Sequence, residues 1–260
     1  MSAKTARSAT SESTETSGEA PRRLGSYTTA RVTNGRVERV EQHARRLHRD
    51  AARLGLPLPA RAEIERVLQD AAAQAFGRGS GIVRVEWSRL LTGGEPELIP
   101  TSRPLGSVPG QWRAVVSQAI HPGPELRANT KFVDVSAYDV GRAEIRDAAF
   151  DEVLLFDGDG LLVEGAHSNF LVVTEDGRVV TPDLALGAVE GLGLTIVLES
   201  HPEISFARLR QEDLEGVREL MSVNAVRGVV PITLLDGKPV ATGQPGPWSE
   251  RLGAAFTQSN

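Results

Sequence analysis

The 260-residue chain contains no cysteine, which removes disulfides, thiolate metal sites and cysteine nucleophiles together. Lysine is almost missing as well: of 29 basic residues only Lys4, Lys131 and Lys238 are lysines, and the rest are arginine. No apolar run approaches the roughly 20 residues of a membrane helix, and residues 1–21 lack the apolar core of a signal peptide. The net charge of −5 comes without a basic stripe, which argues against a nucleic-acid surface. Phosphate-binding glycine loops, dinucleotide fingerprints and serine-nucleophile elbows are absent too. The five histidines (His43, His48, His121, His167 and His201) lack metal-ligand spacing, so surface or packing roles are expected of them. A soluble, cytoplasmic protein without a metal is the expectation, with neither membrane nor nucleic acid as partner.

What is present reads as an ordinary globular composition, 40% apolar with 26 glycines, in a chain long enough for two modest domains. Residues 1–23 are rich in Ser, Thr, Glu and Ala and are expected to be a disordered tail, with too little apolar surface to offset ordering entropy. Residues 27–33 and 36–40 flank Asn34-Gly35, the strongest short hairpin signal. Apolar residues at helical spacing predict helices over 42–54 and 60–76. Strands are predicted at 81–91 and 111–118, and a Pro-containing linker at 119–127. The second half predicts a helix at 133–149, hairpins over 152–164 and 170–181, a short helix over 192–200 entered from a glycine-rich loop, and strands near 219–223, 229–235 and 239–241. The fold class is α+β, with a small domain over 24–120 and a larger β-rich domain over 126–260.

The scarcity of lysine directs attention to one of the three. Lys4 falls in the tail, and Lys238 in an Asp-Gly-Lys hairpin turn. Lys131 stands at the junction of the halves, in Asn129-Thr130-Lys131-Phe132-Val133. Arginine stays protonated and cannot act as a nucleophilic amine. A lysine kept where arginine serves everywhere else therefore suggests Schiff-base chemistry, against the alternative of an ordinary surface lysine. Glu164 ends an apolar strand, Arg46 flanks the apolar stripe of the first helix, and Gly191-Leu192-Gly193 opens the short helix, where free backbone N–H groups can hold a phosphate. An amine, a carboxylate, an arginine and a helix N-terminus are the groups that pyridoxal 5′-phosphate requires.

At these residues the chain resembles the class IV aminotransferases, the fold-type-IV pyridoxal-phosphate enzymes, from about residue 25 to 256. The most specific piece is Glu164-Gly165 followed by Ser168-Asn169-Phe170, 33 residues after Lys131. His43 to Leu47 is similar to the family's His-x-x-Arg-Leu, and Thr181-Pro182 to its Thr-Pro ahead of the phosphate loop. The resemblance implies a small α/β N-terminal domain and a β-rich, barrel-like C-terminal domain, assembled as a homodimer acting on a small amino substrate. It also implies roles: Lys131 as Schiff-base lysine and proton carrier, Glu164 at the pyridine nitrogen, Arg46 with the N–H groups of Leu192 and Gly193 at the phosphate, and Tyr27 beside the cofactor. Within the family, Thr28-Thr29 and Asn224-Ala225 are similar to 4-amino-4-deoxychorismate lyase, an enzyme of folate biosynthesis, with Thr29 near the Schiff base; β-propensity alone would also explain the two threonines. Two departures stand out. The family's glycine-rich lead-in reads Arg23-Leu24-Gly25, and the phosphate helix lacks the family's threonine and arginine, which predicts weaker phosphate binding. Three readings follow: a lyase first, a transaminase for branched-chain, D-amino or amine substrates second, and a non-catalytic cofactor-binding homologue third.

Overall fold

The computed structural model describes residues 22–257 except 108, 126–128 and 149; the expected tail up to residue 21 lies outside the described residues. Arg23, placed in the tail by sequence, instead opens β1 (Arg23–Thr33). Pleating sends Thr28, Ala30 and Val32 to one face of β1 and Tyr27, Thr29 and Arg31 to the other. Asn34 and Gly35 adopt left-handed φ values of 52° and 76°, and the chain returns as β2 (Arg36–Val37), as the Asn-Gly pair predicts.

Helices α1 (Val40–Arg53) and α2 (Arg61–Phe76) follow, then β3 (Gly81–Leu90) and β4 (Gly93–Arg103), giving a four-stranded sheet in the order β2-β1-β3-β4. The apolar stripes of α1 and α2, through Ala44, Leu47, Ile64 and Leu68, pack on Ala30, Val32, Val83 and Val85. Sequence reading missed β4, because Pro96 and Pro100 argue against a strand. The strand lies at the sheet edge, where a missing N–H costs no ladder bond on the open side.

β5 (Trp112–Ile120) corrects a second expectation. Assigned by sequence to the first domain, it is an interior strand of the second sheet, parallel to its neighbours on both sides. The passage between sheets therefore falls ahead of residue 112 rather than at 119–127. Alternating apolar residues identify a strand but carry no label for the sheet it joins.

The rest of the chain supplies α3 (Ser136–Ala148), β6 (Glu152–Phe156), β7 (Leu162–Gly165), β8 (Asn169–Val173), β9 (Val179–Pro182), α4 (Leu192–Ser200), β10 (Ser205–Ala207), β11 (Glu219–Asn224), β12 (Gly228–Leu235), β13 (Lys238–Pro239) and α5 (Pro247–Gly253). The nine-stranded sheet runs β10-β9-β8-β11-β12-β5-β6-β7, with β13 on β12. It curls until its ends meet: Leu162 N–H donates to the Leu209 carbonyl at 2.7 Å and Leu161 bridges to Arg210. Phe170, Leu154, Leu162 and Leu220 fill the resulting barrel-like interior, and α4 and α5 cover its outside through Leu194, Val197 and Leu252. Among the described residues, no helix is long and apolar enough to cross a membrane.

The two sheets are joined at β1. Tyr27 N–H donates to the Lys131 carbonyl (3.0 Å), Val133 N–H donates to the Gly25 carbonyl (3.1 Å), and Ser26 pairs with Phe132. The segment around Lys131 is thus a short ladder partner of β1.

Candidate active site

Because Ser26 and Phe132 are paired, Lys131 falls on the opposite face of the strand, with Tyr27. Its Nζ lies 4.9 Å from the centre of the Tyr27 ring, and Arg84 stacks on that ring at 3.7 Å. Burial alone would raise the Tyr27 phenol; the positive charges of Lys131, Arg84 and Arg142 outweigh it and bring the group below its ordinary value of 10.0. Thr29 lies two residues along the same face, half-buried. Lys238, by contrast, is exposed at the start of β13.

Contacts from α1 and from the loop before α4 fix the Lys131 segment. Asp50, fully buried on α1, accepts the Lys131 N–H (3.3 Å). Arg49 and Arg53, on the same helix, reach Glu190 at 2.9 and 3.0 Å. Asn129 takes a left-handed φ of 62° and donates its side-chain amide to the carbonyls of Leu184 and Ala188. Helix α1, the lysine and the loop before α4 are thereby tied together.

Arg46 lies one turn before Asp50 and is 7% exposed. Its Nη2 donates to Thr28 Oγ1 (2.6 Å), and its Nε is buried without a hydrogen-bond partner. Thr28 Oγ1 also contacts His43 Nδ1 at 2.7 Å. Burial first, then the charges of Arg46 and Arg39, hold His43 well below its ordinary 6.5, so a neutral ring accepts the threonine proton at Nδ1. Unfolded, His43 regains its ordinary affinity for protons. The unfolded state then binds more of them below pH 6.5, and stability falls as pH drops from about 6.5 towards the depressed folded value. The loss should approach about 1.4 kcal/mol per pH unit inside that window. Melting temperatures measured against pH should show a flatter acid limb in His43→Gln than in the parent; an identical slope would overturn this assignment.

Glu164, 3% exposed on β7, is held on both oxygens. Oε1 accepts from the Tyr138 hydroxyl and lies 3.3 Å from His121 Nε2, while Oε2 accepts the Val189 N–H at 3.1 Å. The His121 tautomer follows from its surroundings. Nδ1 accepts the Gly123 N–H (3.1 Å), which leaves Nε2 to carry the hydrogen towards Glu164. Sequence reading had given His121 a surface or packing role, and it did not single out Tyr138 or Asp50; nothing in their local spacing signals a partner 17 to 81 residues away.

At α4 the N-terminus has no side-chain cap. A Cβ on Gly193 would meet the Asn224 carbonyl carbon at 2.5 Å, so the backbone of the β11–β12 turn lies directly against the helix start. The Asn224 side chain serves that turn instead of facing outward. Its Oδ1 accepts from Val226 and Arg227 N–H, and its Nδ2 donates to Ser168 Oγ. Ala225 contributes backbone at the same contact. Gly193→Ala should push turn and helix apart, with a loss of about 1–3 kcal/mol read by urea denaturation and weaker uptake of an anion at the helix start; unchanged stability would contradict the contact.

The structure therefore brings Lys131, Tyr27, Arg46 and Asp50 together around β1 and α1. Glu164 is tied to the loop before α4 through Val189, next to the Glu190 that Arg49 and Arg53 reach. Among the described residues no cluster suited to a metal ion occurs.

The sequence model described as "Amino-transferase class IV" matches residues 25–235. The chain belongs to the class IV aminotransferase family. Members are pyridoxal-phosphate-dependent enzymes, and the chain is an enzyme of that kind. Over 90% of its length it is 23% identical to the D-alanine aminotransferase of Bacillus licheniformis, covering 87% of that protein. To the branched-chain-amino-acid aminotransferase of Pseudomonas aeruginosa it is 26% identical over 109 residues, spanning 35% of that protein's length. The structure of the Escherichia coli branched-chain amino acid aminotransferase superposes with a TM-score of 0.77 at 21% identity, covering 90% of this chain and 84% of that one. A hypothetical aminotransferase from Mycobacterium tuberculosis in its PLP-bound form superposes at 0.72 and 22% identity, covering 90% and 87%. The two superpositions bear out the α+β, fold-type-IV class expected from sequence.

The residues present suit the cofactor. A buried, unpartnered Arg46 Nε is an anion donor awaiting an acceptor, and the uncapped start of α4 offers further N–H groups.

Proposed function

We propose that the chain is an aminotransferase that moves an amino group from an amino acid to a 2-oxo acid, with Lys131 as the catalytic amine. The observation that carries this reading is the placement of Lys131 Nζ over Tyr27, on a segment pinned by Asp50 and by β1 at the join of the two sheets. Bound pyridoxal phosphate supplies an aldehyde carbon for amines and a ring that accepts the electron pair left at the substrate α-carbon. Lys131 Nζ takes the α-proton and holds it for return. Tyr27 sits against that amine with its phenol lowered. Arg46 and the N–H groups of Leu192 and Gly193 would hold the phosphate, and Glu164 would face the ring nitrogen. The relatives spanning most of the chain, including the D-alanine aminotransferase and a putative branched-chain aminotransferase of Methanocaldococcus jannaschii, support amino-acid substrates. By family likeness the working form is a homodimer, checked by light scattering in solution.

One observation favours a second reading. Thr29 shares the face of β1 that carries Tyr27, and Asn224-Ala225 lacks the hydroxyl pair usual in transaminases. This is the lyase pattern, which would yield 4-aminobenzoate and pyruvate from aminodeoxychorismate. The deciding experiment offers the cofactor-loaded protein amino acids with 2-oxoglutarate, and separately aminodeoxychorismate. Glutamate without pyruvate supports the aminotransferase; pyruvate without glutamate overturns it in favour of the lyase. A protein that takes up no cofactor sinks both.

A further inference from the structure

The chain just before α4 is gripped from both sheets. Val189 N–H donates to Glu164 Oε2 at 3.1 Å, and the Val189 carbonyl accepts from Asn169 Nδ2 at 3.0 Å. A Cβ on Gly191 would collide with Asn169 Oδ1, so this stretch runs directly against β8. Glu190 N–H donates to the Asn129 carbonyl at 3.2 Å, two residues before Lys131. The Glu190 side chain reaches the other way, to α1. Its Oε1 meets Arg49 Nη1 at 2.9 Å and its Oε2 meets Arg53 Nη2 at 3.0 Å.

Arg49 and Arg53 stand one turn apart on α1, so one carboxylate spans both with an oxygen for each. Arg53 Nη1 also donates to the Asn129 carbonyl at 3.5 Å, and Asp50 between them accepts the Lys131 N–H. The apolar residues of α1 pack with the first sheet and those of α4 with the second, so at this point the two helices are tied through polar groups. The three side chains are about one-third exposed. An isolated pair so placed contributes little, but two arginines sharing both oxygens of one carboxylate fix a geometry. The same helix carries Arg46, on which the Arg49 charge acts.

We infer that Glu190 is a positioning residue: held by Arg49 and Arg53, it sets where the start of α4 and the Val189 amide on Glu164 stand relative to Arg46 and Lys131. Groups from both sheets then meet one cofactor in register. The inference deepens the proposed aminotransferase reading and rests on it for the identity of the bound group.

The deciding variant is Glu190→Gln, titrated in its cofactor-free form with pyridoxal phosphate. Taking a negative charge away beside Arg49 and Arg46 would, through space alone, tighten the hold on an anionic cofactor. Loss of positioning acts in the opposite direction. The dissociation constant should rise about fivefold in Glu190→Gln. Arg49→Gln and Arg53→Gln together should weaken the cofactor as well, and adding Glu190→Gln to that pair should cost nothing further. The gap between parent and Glu190→Gln should close as salt is raised. Unchanged or tighter cofactor binding in Glu190→Gln overturns the inference. So does an equal fall in the melting temperatures of loaded and cofactor-free protein at parental affinity, the mark of a bridge that serves stability alone. Hydrogen exchange in the cofactor-free protein keeps this separate from the functional reading. The Val189 amide should exchange about fivefold faster in Glu190→Gln while the amides of α2 stay as in the parent, and parental exchange at Val189 overturns the inference. A parent protein that takes up no pyridoxal phosphate would sink the functional reading, and the exchange at Val189 would still decide the role of Glu190.

Discussion

Lys131→Ala should lower turnover by at least about a thousandfold while leaving the fold intact. Structure separates the two effects: the backbone of Lys131 is held by Tyr27 and Asp50, and those bonds use its carbonyl and amide, not its side chain. The melting temperature should therefore change little. Borohydride reduction of the cofactor-loaded parent should fix a pyridoxyl mass on the peptide containing Lys131, and the variant should show none. A third readout is local. Burial raises the Tyr27 phenol and Lys131 is the largest influence opposing it, so removing the amine should move tyrosine ionisation to higher pH in ultraviolet difference spectra. A pyridoxyl label on Lys238, which is exposed on β13, or a variant that keeps parental activity would refute the assignment.

Glu164→Gln should be the next largest loss, about a hundredfold or more in turnover, accompanied by a measurable fall in stability. The carboxylate accepts from donors on both oxygens: Tyr138 and His121 at one, Val189 N–H at the other. An amide has one accepting end only. Whichever way it is turned, its NH2 faces a donor inside a buried site, at a cost of about 1–3 kcal/mol. Tyr138→Phe should be milder, since it removes one donor and leaves the carboxyl group with its His121 and Val189 partners. Chemical denaturation and the visible spectrum of bound cofactor over pH distinguish the outcomes: Glu164→Gln should shift the spectral titration, whereas a purely structural glutamate would leave it as in the parent. Parental kinetics in the glutamine variant would end the case for a charge at this position.

Both predictions concern residues legible in sequence, and the reasons differ. Lys131 was findable because arginine replaces lysine almost everywhere else, and Glu164 because a carboxylate closing an apolar strand asks for a partner. Arg46 was readable from its place beside the α1 stripe. The partners were not legible. Asp50 is 81 residues from the amide it accepts, and His121 is 43 from Glu164. Thr28 and Thr29 read alike in sequence as β-formers, but the pleat sends Thr28 inward to Arg46 and His43 and Thr29 to the opposite face, with Tyr27.

Local physics determined the hairpin at Asn34-Gly35, the helical periods of α1 and α2, and which lysine is the candidate amine, because these depend on backbone preference and on residue type over a few positions. Only tertiary structure decided that β5 belongs to the barrel, that β4 tolerates its prolines at an edge, and that Arg49 and Arg53 meet Glu190. Strand partnership, edge position and the meeting of distant charges arise from long-range closure. Alternation along a chain specifies which face of a strand is buried, not which neighbour buries it.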